Sequence, residues 1–152
     1  MPVSEPNPIL EIARDVRRAV CLLAGCGWHA GAGVRGWCAV GAVMTVRELR
    51  AAGFQAELHR GVYEMEHGIW VRRWGHAWAV CEGVIIVDVT ASQFGCPPVY
   101  ILPVAGAEQY HTRARGRRAL QDINTTWPED QRPAVHGQAL SWRRGTRADL
   151  IA

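Results

Sequence analysis

A chain of 152 residues with 49% hydrophobic and 20% charged residues has the composition of one globular domain, long enough to bury a core without disulfides or metal. No apolar run approaches the roughly 20 residues of a membrane-spanning helix, and residues 1–15 lack the pattern of a signal peptide. The net charge of +3 is modest, and all 17 basic residues are Arg. Five irregularly spaced cysteines favour a reducing compartment, so we expect a cytoplasmic protein.

The first predicted element is an amphipathic helix that begins after Asn7. Asn7 is a suitable N-cap, Pro8 fits the first helical turn, and Gly25 and Gly27 mark the end. Between them, apolar residues recur at steps of three and four, as on the buried face of a helix. These residues are Ile9, Ile12, Val16, Ala19, Val20 and Leu23.

A second helix is predicted from Trp37 or Cys38 to Ala52, after a glycine-rich loop at residues 27–36. Gly53 follows it as the C-terminal stop. The first two turns, CAVGAVMTV, contain no charged residue, and a helix that is apolar on all sides is a buried one. We therefore expect this helix to run through the middle of the domain.

From Phe54 onward the apolar period changes to two, which predicts β-strands. The alternation over residues 54–59 places His59 on the solvent side. Further strands are predicted at residues 61–65 and 69–74 with a turn at His67-Gly68, in a hairpin at residues 75–89, and at residues 99–102. Helices followed by an antiparallel meander indicate the α+β class.

The last part of the chain has weaker patterns. Residues 107–124 look helical with an interruption at Gly116, and residues after about 124 are irregular. No internal repeat separates the chain into units. We predict a single α+β domain over residues 1–152, with buried N-terminal helices packed on an antiparallel sheet.

The hairpin GHAWAVCEGVIIVDV contains one imidazole, His76, and one carboxylate, Asp88, in an otherwise apolar stretch. Burying either group alone is costly. A two-residue loop would put them on opposite faces of the sheet. A three-residue loop of residues 81–83, with Gly83 left-handed, sets His76 directly opposite Asp88. Because that register lets the two polar groups pair, we predict it over the other.

Cys38 gives this pair a chemical interpretation. At the start of a helix, the backbone amides and the helix dipole stabilise a thiolate, and a nearby imidazolium lowers the thiol pKa further. The same amides are placed to bind the oxyanion of a tetrahedral intermediate. Cys38, His76 and Asp88 therefore supply a nucleophile, a general base and an orienting carboxylate. A His–Asp pair with a purely structural role is the alternative.

The motifs WCAVGAVMTVRELRAAGF, RGVY, GHAWAV and GVIIVDVTASQFG occur in that order. Together they resemble the transglutaminase-like superfamily of papain-fold cysteine enzymes, and they are similar to the leader peptidases of lasso-peptide biosynthesis. The resemblance covers roughly residues 36–95. It implies a papain-like fold, with Cys38 as the nucleophile, His76 as the base and Asp88 as the orienting carboxylate.

The function we expect is hydrolysis of a peptide or amide bond through a thioester acyl-enzyme. Acyl transfer, transglutamination or glutamine deamidation by the same three residues is the nearest alternative. Two alternatives are not enzymatic: a binding protein on the same scaffold with an unused triad, and a binder of nucleic acid or of an acidic partner. The latter would use the arginines of residues 113–118 and 143–144. We expect a peptide or protein substrate, and neither a membrane nor nucleic acid as partner.

Three further residues are candidates for the substrate or oxyanion site. Gln93 either polarises a carbonyl with its amide or only holds its loop. Trp37 either lines the pocket or packs in the core. Trp78 shares a face with His76 and is placed to cover the triad. No cofactor is indicated. Cys21, Cys26 and His29 have a zinc-like spacing but lack a fourth ligand, so we expect them to be core residues.

Overall fold

A computed structural model describes residues 6–112 of the chain. Both predicted helices are confirmed. Helix α1 spans Pro8–Ala24: the Asn7 side chain accepts hydrogen bonds from the first-turn amides, and Gly25 ends the helix in the left-handed region at φ 66°. Helix α2 spans Cys38–Ala51, with its C-cap at Ala52. No helix within residues 6–112 has the length and apolar character needed to cross a membrane.

Helix α2 is buried, as its uncharged first turns predict. Eight of its residues, from Gly41 to Leu49, are inaccessible to solvent, and the helix packs between α1 and the sheet. Gly41 permits the closest approach, because a Cβ atom at this position would lie 2.9 Å from Cγ2 of Val89. The N-terminal half of α2 therefore lies directly against the chain that leaves the third strand.

The sheet has five antiparallel strands in the order β4-β3-β2-β1-β5. Their bounds are Ala56–His67 for β1, Trp70–Cys81 for β2, Ile85–Asp88 for β3, Tyr100–Pro103 for β4 and Tyr110–Thr112 for β5. The strands predicted separately at residues 54–59 and 61–65 are one long strand, β1. Short 3₁₀ turns at Ala32–Val34, Ala91–Phe94 and Val104–Gly106 complete the described elements. The fold is therefore α+β, as predicted, with two helices packed on an antiparallel sheet.

The two faces of the sheet have different buried neighbours. One face contributes residues such as Leu58, Ala79 and Val87 to the main core, which it shares with both helices. The opposite face carries a second, largely aromatic cluster that includes Tyr63, Trp78 and the β5 residue Tyr110. Hereafter these are called the helix-side face and the aromatic face.

The loop of the hairpin between β2 and β3 lies one residue further along the chain than predicted. Cys81 pairs with Ile85, so the loop is residues 82–84 and not residues 81–83. Glu82 and Gly83 both take left-handed conformations, at φ 54° and φ 70°, and the N–H of Val84 donates to the carbonyl of Cys81 at 3.2 Å. Two successive left-handed residues make the tight turn that suits a hairpin, and Val84 becomes the extra residue. The predicted register was wrong by two residues.

A shift by an even number of residues keeps every side chain on its predicted face. Val80 pairs with Ile86 and Ala79 with Val87, so Trp78 is the residue that comes opposite Asp88. His76 and Asp88 are therefore diagonal neighbours on the aromatic face and not a directly opposed pair.

Two further predictions fail at β5. His59 does not face solvent: its side chain is 13% exposed, and its Nδ1 lies 3.0 Å from Oγ1 of Thr112. The reason is that β5 pairs with β1 at the edge of the sheet and brings Thr112 next to His59. Residues 107–112, predicted as the start of a helix, form a turn and β5 instead. The remainder of that predicted helix, residues 113–124, and the irregular tail lie outside the described residues.

Gly61 of β1 is where β5 approaches most closely. A Cβ atom at Gly61 would overlap the backbone carbonyl of His111, and a backbone atom cannot move aside as a side chain can. We expect Gly61→Ala to lower the free energy of unfolding in urea by about 1–3 kcal/mol, the usual range for overpacking. Gly75→Ala is the control, since a Cβ atom there would meet nothing within 4 Å. Equal stability of the two variants would contradict this prediction.

Candidate active site

Cys38 is the first residue of α2 and is partly exposed, with a free thiol. The preceding residue, Trp37, is the N-cap, and no side chain caps the helix. The first intrahelical hydrogen bond runs from the N–H of Gly41 to the carbonyl of Trp37. The amides of the first turn, that of Cys38 among them, thus have no carbonyl partner within the helix.

His76 and Asp88 are hydrogen-bonded to each other in the aromatic face, as predicted. His76 is 5% exposed and Asp88 is 2% exposed. The distance from His76 Nε2 to Asp88 Oδ2 is 2.6 Å. Because a carboxylate only accepts hydrogen bonds, Nε2 carries the proton. In the neutral imidazole, Nδ1 is consequently left as the proton acceptor.

Three further donor groups hold the Asp88 carboxylate in place. The hydroxyl of Tyr110 donates to Oδ2 at 2.8 Å. The backbone N–H of Thr90 donates to Oδ1 at 2.9 Å, and the Thr90 hydroxyl lies 3.4 Å from the same oxygen. Burial and the Asp88 charge both raise the pKa of the Tyr110 hydroxyl, so Tyr110 keeps its proton and remains a donor. Both carboxylate oxygens are therefore fixed, and Asp88 can fix the imidazole in turn.

The electrostatics link His76 to Cys38. Burial opposes charge on His76, but the hydrogen bond to Asp88 and the nearby Cys38 outweigh it and raise the pKa of the imidazole to about 9. Burial likewise opposes a thiolate at Cys38, yet His76 and the backbone N–H of Ala77 together lower the pKa of the thiol. The arrangement favours a thiolate–imidazolium pair.

The contact between Cys38 and His76 is loose. Nδ1 of His76 is buried and has no hydrogen bond of good geometry within residues 6–112. Cys38 nevertheless lies near enough to influence the pKa of the imidazole. Catalytic hydrogen bonds are often long or poorly aligned in the absence of substrate, and they tighten when it binds.

The end of β3 makes room for Cys38. Strand β3 stops at Asp88, so its ladder with β2 extends only as far as Ala79. The part of β2 that precedes Ala79 is bordered by β1 on its other side. The N–H of Ala77 is thus available to the Cys38 sulfur, with which it makes a hydrogen bond that favours the thiolate.

Aromatic rings surround the imidazole. Trp78 stacks on His76 with ring centroids 5.9 Å apart, and Phe94 meets it edge-on at 4.9 Å. Tyr63 approaches edge-on at 6.1 Å and also stacks on Phe94 at 4.1 Å. Trp78 is 1% exposed, so it covers the pair from within the sheet. These rings exclude water, and charges interact more strongly in such surroundings.

Cys38 opens into a pocket of about 480 Å³. Its other lining residues include Trp74, Gln93, Phe94 and the arginines Arg35 and Arg72. His76 and Asp88 do not line the pocket, so Cys38 is the member of the predicted triad that a ligand would touch.

The two remaining sequence candidates have different positions. Gln93 lines the pocket, but its amide nitrogen donates to the carbonyl of Thr90 at 3.1 Å and holds the loop after Asp88. Trp37 is partly buried and packs against the main core. The loop-holding interpretation of Gln93 and the core interpretation of Trp37 are thus the ones that their contacts favour.

Arg17, which was not predicted as a functional residue, is fully buried in α1. Its guanidinium donates to the carbonyls of Val89 and Trp28, at 2.9 and 2.6 Å. It also donates to the Ser92 hydroxyl and to the carbonyl of Ala30, at 2.9 and 3.0 Å. Arg17 thereby joins the loop before Cys38 to the loop after Asp88.

A signal for Arg17 was present in the sequence. Ala13, Val16 and Val20 lie on the buried face of α1, and Arg17 follows Ala13 by four residues and precedes Val20 by three. A charged residue inside an apolar stripe is rare unless it has buried partners. Tyr110 had no comparable signal, because 22 residues separate it from Asp88.

The zinc-like motif forms no metal site among residues 6–112, where no group of three or more candidate ligands is close enough to share an ion. Cys21 instead lies with its sulfur 3.5 Å from the carbonyl of Gly27. The arginine clusters at residues 113–118 and 143–144 lie outside the described residues.

The chain has no match among protein-family models, curated proteins or solved structures. Its function is therefore inferred from the side chains and the architecture described above.

Proposed function

We propose that this protein is a cysteine-dependent hydrolase that cleaves a peptide or amide bond. Cys38 is the nucleophile, His76 the general base and acid, and Asp88 the orienting carboxylate. One observation carries the proposal: the buried pair of Asp88 and His76 ends in an imidazole whose charge lowers the pKa of a pocket-lining thiol. A structural His–Asp pair needs no such third member.

In the first half of the reaction, the Cys38 sulfur attacks the carbonyl carbon of the scissile amide and forms a C–S bond. The C–N bond then breaks, and the leaving amine takes a proton from the His76 imidazolium. The oxyanion formed in between accepts hydrogen bonds from the amides at the start of α2, which no side chain caps. The product of this half is a thioester on Cys38.

In the second half, water attacks the thioester carbonyl while Nδ1 of His76 accepts its proton. The C–S bond breaks, the acid leaves, and the thiolate–imidazolium pair is restored. Throughout both halves, Asp88 accepts a hydrogen bond from the Nε2–H of His76, and it stabilises the imidazolium whenever this forms. An amine in place of water would turn the same steps into acyl transfer.

The transglutaminase-like, papain-like fold assignment belongs to this proposal. What supports it is a cysteine that begins a buried helix, followed by a histidine and an aspartate on adjacent antiparallel strands. The thiol chemistry and the four further cysteines, none of which forms a disulfide within residues 6–112, also fit a reducing compartment such as the cytoplasm.

The test is digestion of a diverse peptide library, with new N-termini identified by mass spectrometry. The wild-type protein is expected to generate new N-termini, and Cys38→Ala none. Cys26→Ala, which removes another partly buried thiol, is the matched control and should retain cleavage. Addition of a small primary amine separates hydrolysis from transfer, because transfer would place that amine on the new carboxyl end. Identical peptide patterns from the wild type and Cys38→Ala would contradict the proposal.

A further inference from the structure

We infer that the pocket beside Cys38 selects ligands that carry a carboxylate, and that Arg35 and Arg72 are its specificity-determining residues. As a statement about substrates, this rests on the proposed hydrolase function. As a statement about the charge preference of the pocket, it stands on the pocket alone.

The lining of the pocket is positively charged. Two guanidinium groups, those of Arg35 and Arg72, line the pocket, and no carboxylate from residues 6–112 does. Within residues 6–112, neither arginine has an ion pair, whereas the adjacent Arg73 is bound to Glu64 at 2.7 Å. Both arginines are exposed, and together they give the pocket a positive potential that attracts an anion. A carboxylate is such an anion, and arginine binds it with two parallel hydrogen bonds.

Arg35 and Arg72 belong to two different elements of the backbone. Arg72 lies on β2 on the same face as Trp74 and His76, since side chains alternate along a strand. Arg35 ends the 3₁₀ turn before Cys38, and its N–H donates to the carbonyl of Ala32. Gly36, left-handed at φ 87°, then turns the chain toward Cys38. The two charges therefore approach the thiol from different elements of the fold.

The distance between Arg72 and His76 limits where on a substrate the carboxylate can lie. Arg72 and His76 are four residues apart on β2, which is about 13 Å along a strand at roughly 3.3 Å per residue. The arginine side chain spans part of that distance. An extended peptide advances by about 3.3–3.6 Å per residue. The recognised carboxylate thus belongs to a residue within about two positions of the scissile bond, either as an acidic side chain or as the C-terminus of the peptide.

The walls of the pocket strengthen this preference. Trp74 and Phe94 are apolar, and Gln93 already donates its amide hydrogen to its own loop. A carboxylate in this pocket would find its strongest donors in the two guanidinium groups, next to surfaces that hold little water.

The test compares iodoacetate with iodoacetamide, two alkylating agents that share a leaving group and differ in one negative charge. The ratio of their rate constants at Cys38 measures the preference for an anion. In Arg35→Gln/Arg72→Gln, we expect this ratio to fall roughly fivefold or more at low salt, the scale of one charge contact near a protein surface. The contribution of the His76 imidazolium is present in both proteins and cancels in the comparison.

Two controls isolate the arginines. Arg14→Gln removes one positive charge from an exposed site on α1, away from the pocket lining, and should leave the ratio unchanged. Arg35→Lys/Arg72→Lys keeps both charges and should retain most of the preference, which also excludes a loss caused by misfolding. High salt should reduce the wild-type ratio toward that of the glutamine variant. An unchanged ratio in the glutamine variant would overturn the inference.

The peptide library adds the substrate readout. Cleavage by the wild type is expected next to Asp or Glu, or within two residues of a free C-terminus, and the position of the cuts separates these two sources of carboxylate. If the alkylation ratio shifts but no peptide is cut, the anion preference stands and the hydrolase proposal fails. If peptides are cut without any preference for a carboxylate, the hydrolase proposal stands and this inference fails.

Discussion

Replacement of His76 by Ala is expected to slow alkylation of Cys38 by iodoacetamide at pH 6.5 at least tenfold. In the wild type, His76 and the N–H of Ala77 overcome the cost of burial and lower the pKa of the thiol. In His76→Ala, the burial remains and the Asp88 charge remains nearby, and both raise that pKa. An ordinary thiol with a pKa of about 8.5 is only about 1% thiolate at pH 6.5, and Cys38 in the variant should fall below that fraction.

The pH profile has a definite sign. With rising pH, wild-type Cys38 should become reactive before an ordinary thiol, because its pKa is lowered. A second change is expected near pH 9, where His76 loses its proton and the thiolate loses its cationic partner. The variant should show a single rise at a pH above that of an ordinary thiol. Rates measured by peptide mass spectrometry between pH 5 and pH 10 distinguish the two profiles.

His67→Ala is the matched control, since His67 is exposed at the end of β1. It should leave the profile of Cys38 unchanged, and circular dichroism should show all three proteins folded. If wild type and His76→Ala share one profile, then His76 and Asp88 are only a structural pair, and the proposed mechanism is wrong.

Replacement of Arg17 by Ala is expected to lower the free energy of unfolding by about 3–5 kcal/mol. The side chain is fully buried and serves four acceptors. Ala30 keeps a donor in the Ser92 hydroxyl, at 2.8 Å, but the carbonyls of Val89 and Trp28 lose the guanidinium hydrogen bonds. Each buried acceptor left without a donor costs about 1–3 kcal/mol, and the volume of the lost side chain adds a cavity.

Arg14→Ala separates this effect from the loss of any arginine in α1. Arg14 is exposed, and within residues 6–112 its side chain bonds only to Glu11, three residues earlier; such surface pairs contribute about 1 kcal/mol at most. Urea unfolding of both variants, monitored by tryptophan fluorescence, gives the comparison. Similar losses in the two variants would show that Arg17 does not hold the loops together. A large loss in Arg17→Ala alone would identify it as the link between them.

Local rules predicted much of this structure. Asn7 and Gly25 set the bounds of α1, and the uncharged turns after Cys38 predicted a buried helix, because caps and apolar faces act over a few residues. The His76–Asp88 hydrogen bond was predictable because alternation fixes the face of a strand even when its register is wrong.

What the sequence could not predict depends on contacts that are distant in the chain. The register of the hairpin followed from the left-handed conformation of Glu82, a residue that seldom adopts it. The role of Tyr110 and the burial of His59 both depend on β5 joining β1, and residues 107–112 carried a helical pattern that this pairing overrode. In such cases the structure is decided by the pairing of strands that are distant in the chain, and the local hydrophobic period does not predict that pairing.

The separation of the two sheet faces bears on how this protein can be engineered. The proposed acid–base groups lie on the aromatic face, while most of the aliphatic core lies on the helix-side face. Stabilising substitutions often reduce activity because the same residues serve both folding and chemistry. Here, Ala79 and Val87 point to the helix-side face, so substitutions at these positions for thermal tolerance leave His76 and Asp88 on the opposite face of the sheet. Selection for a new substrate would act instead on Arg35 and Arg72, which line the pocket and have no ion pair within residues 6–112.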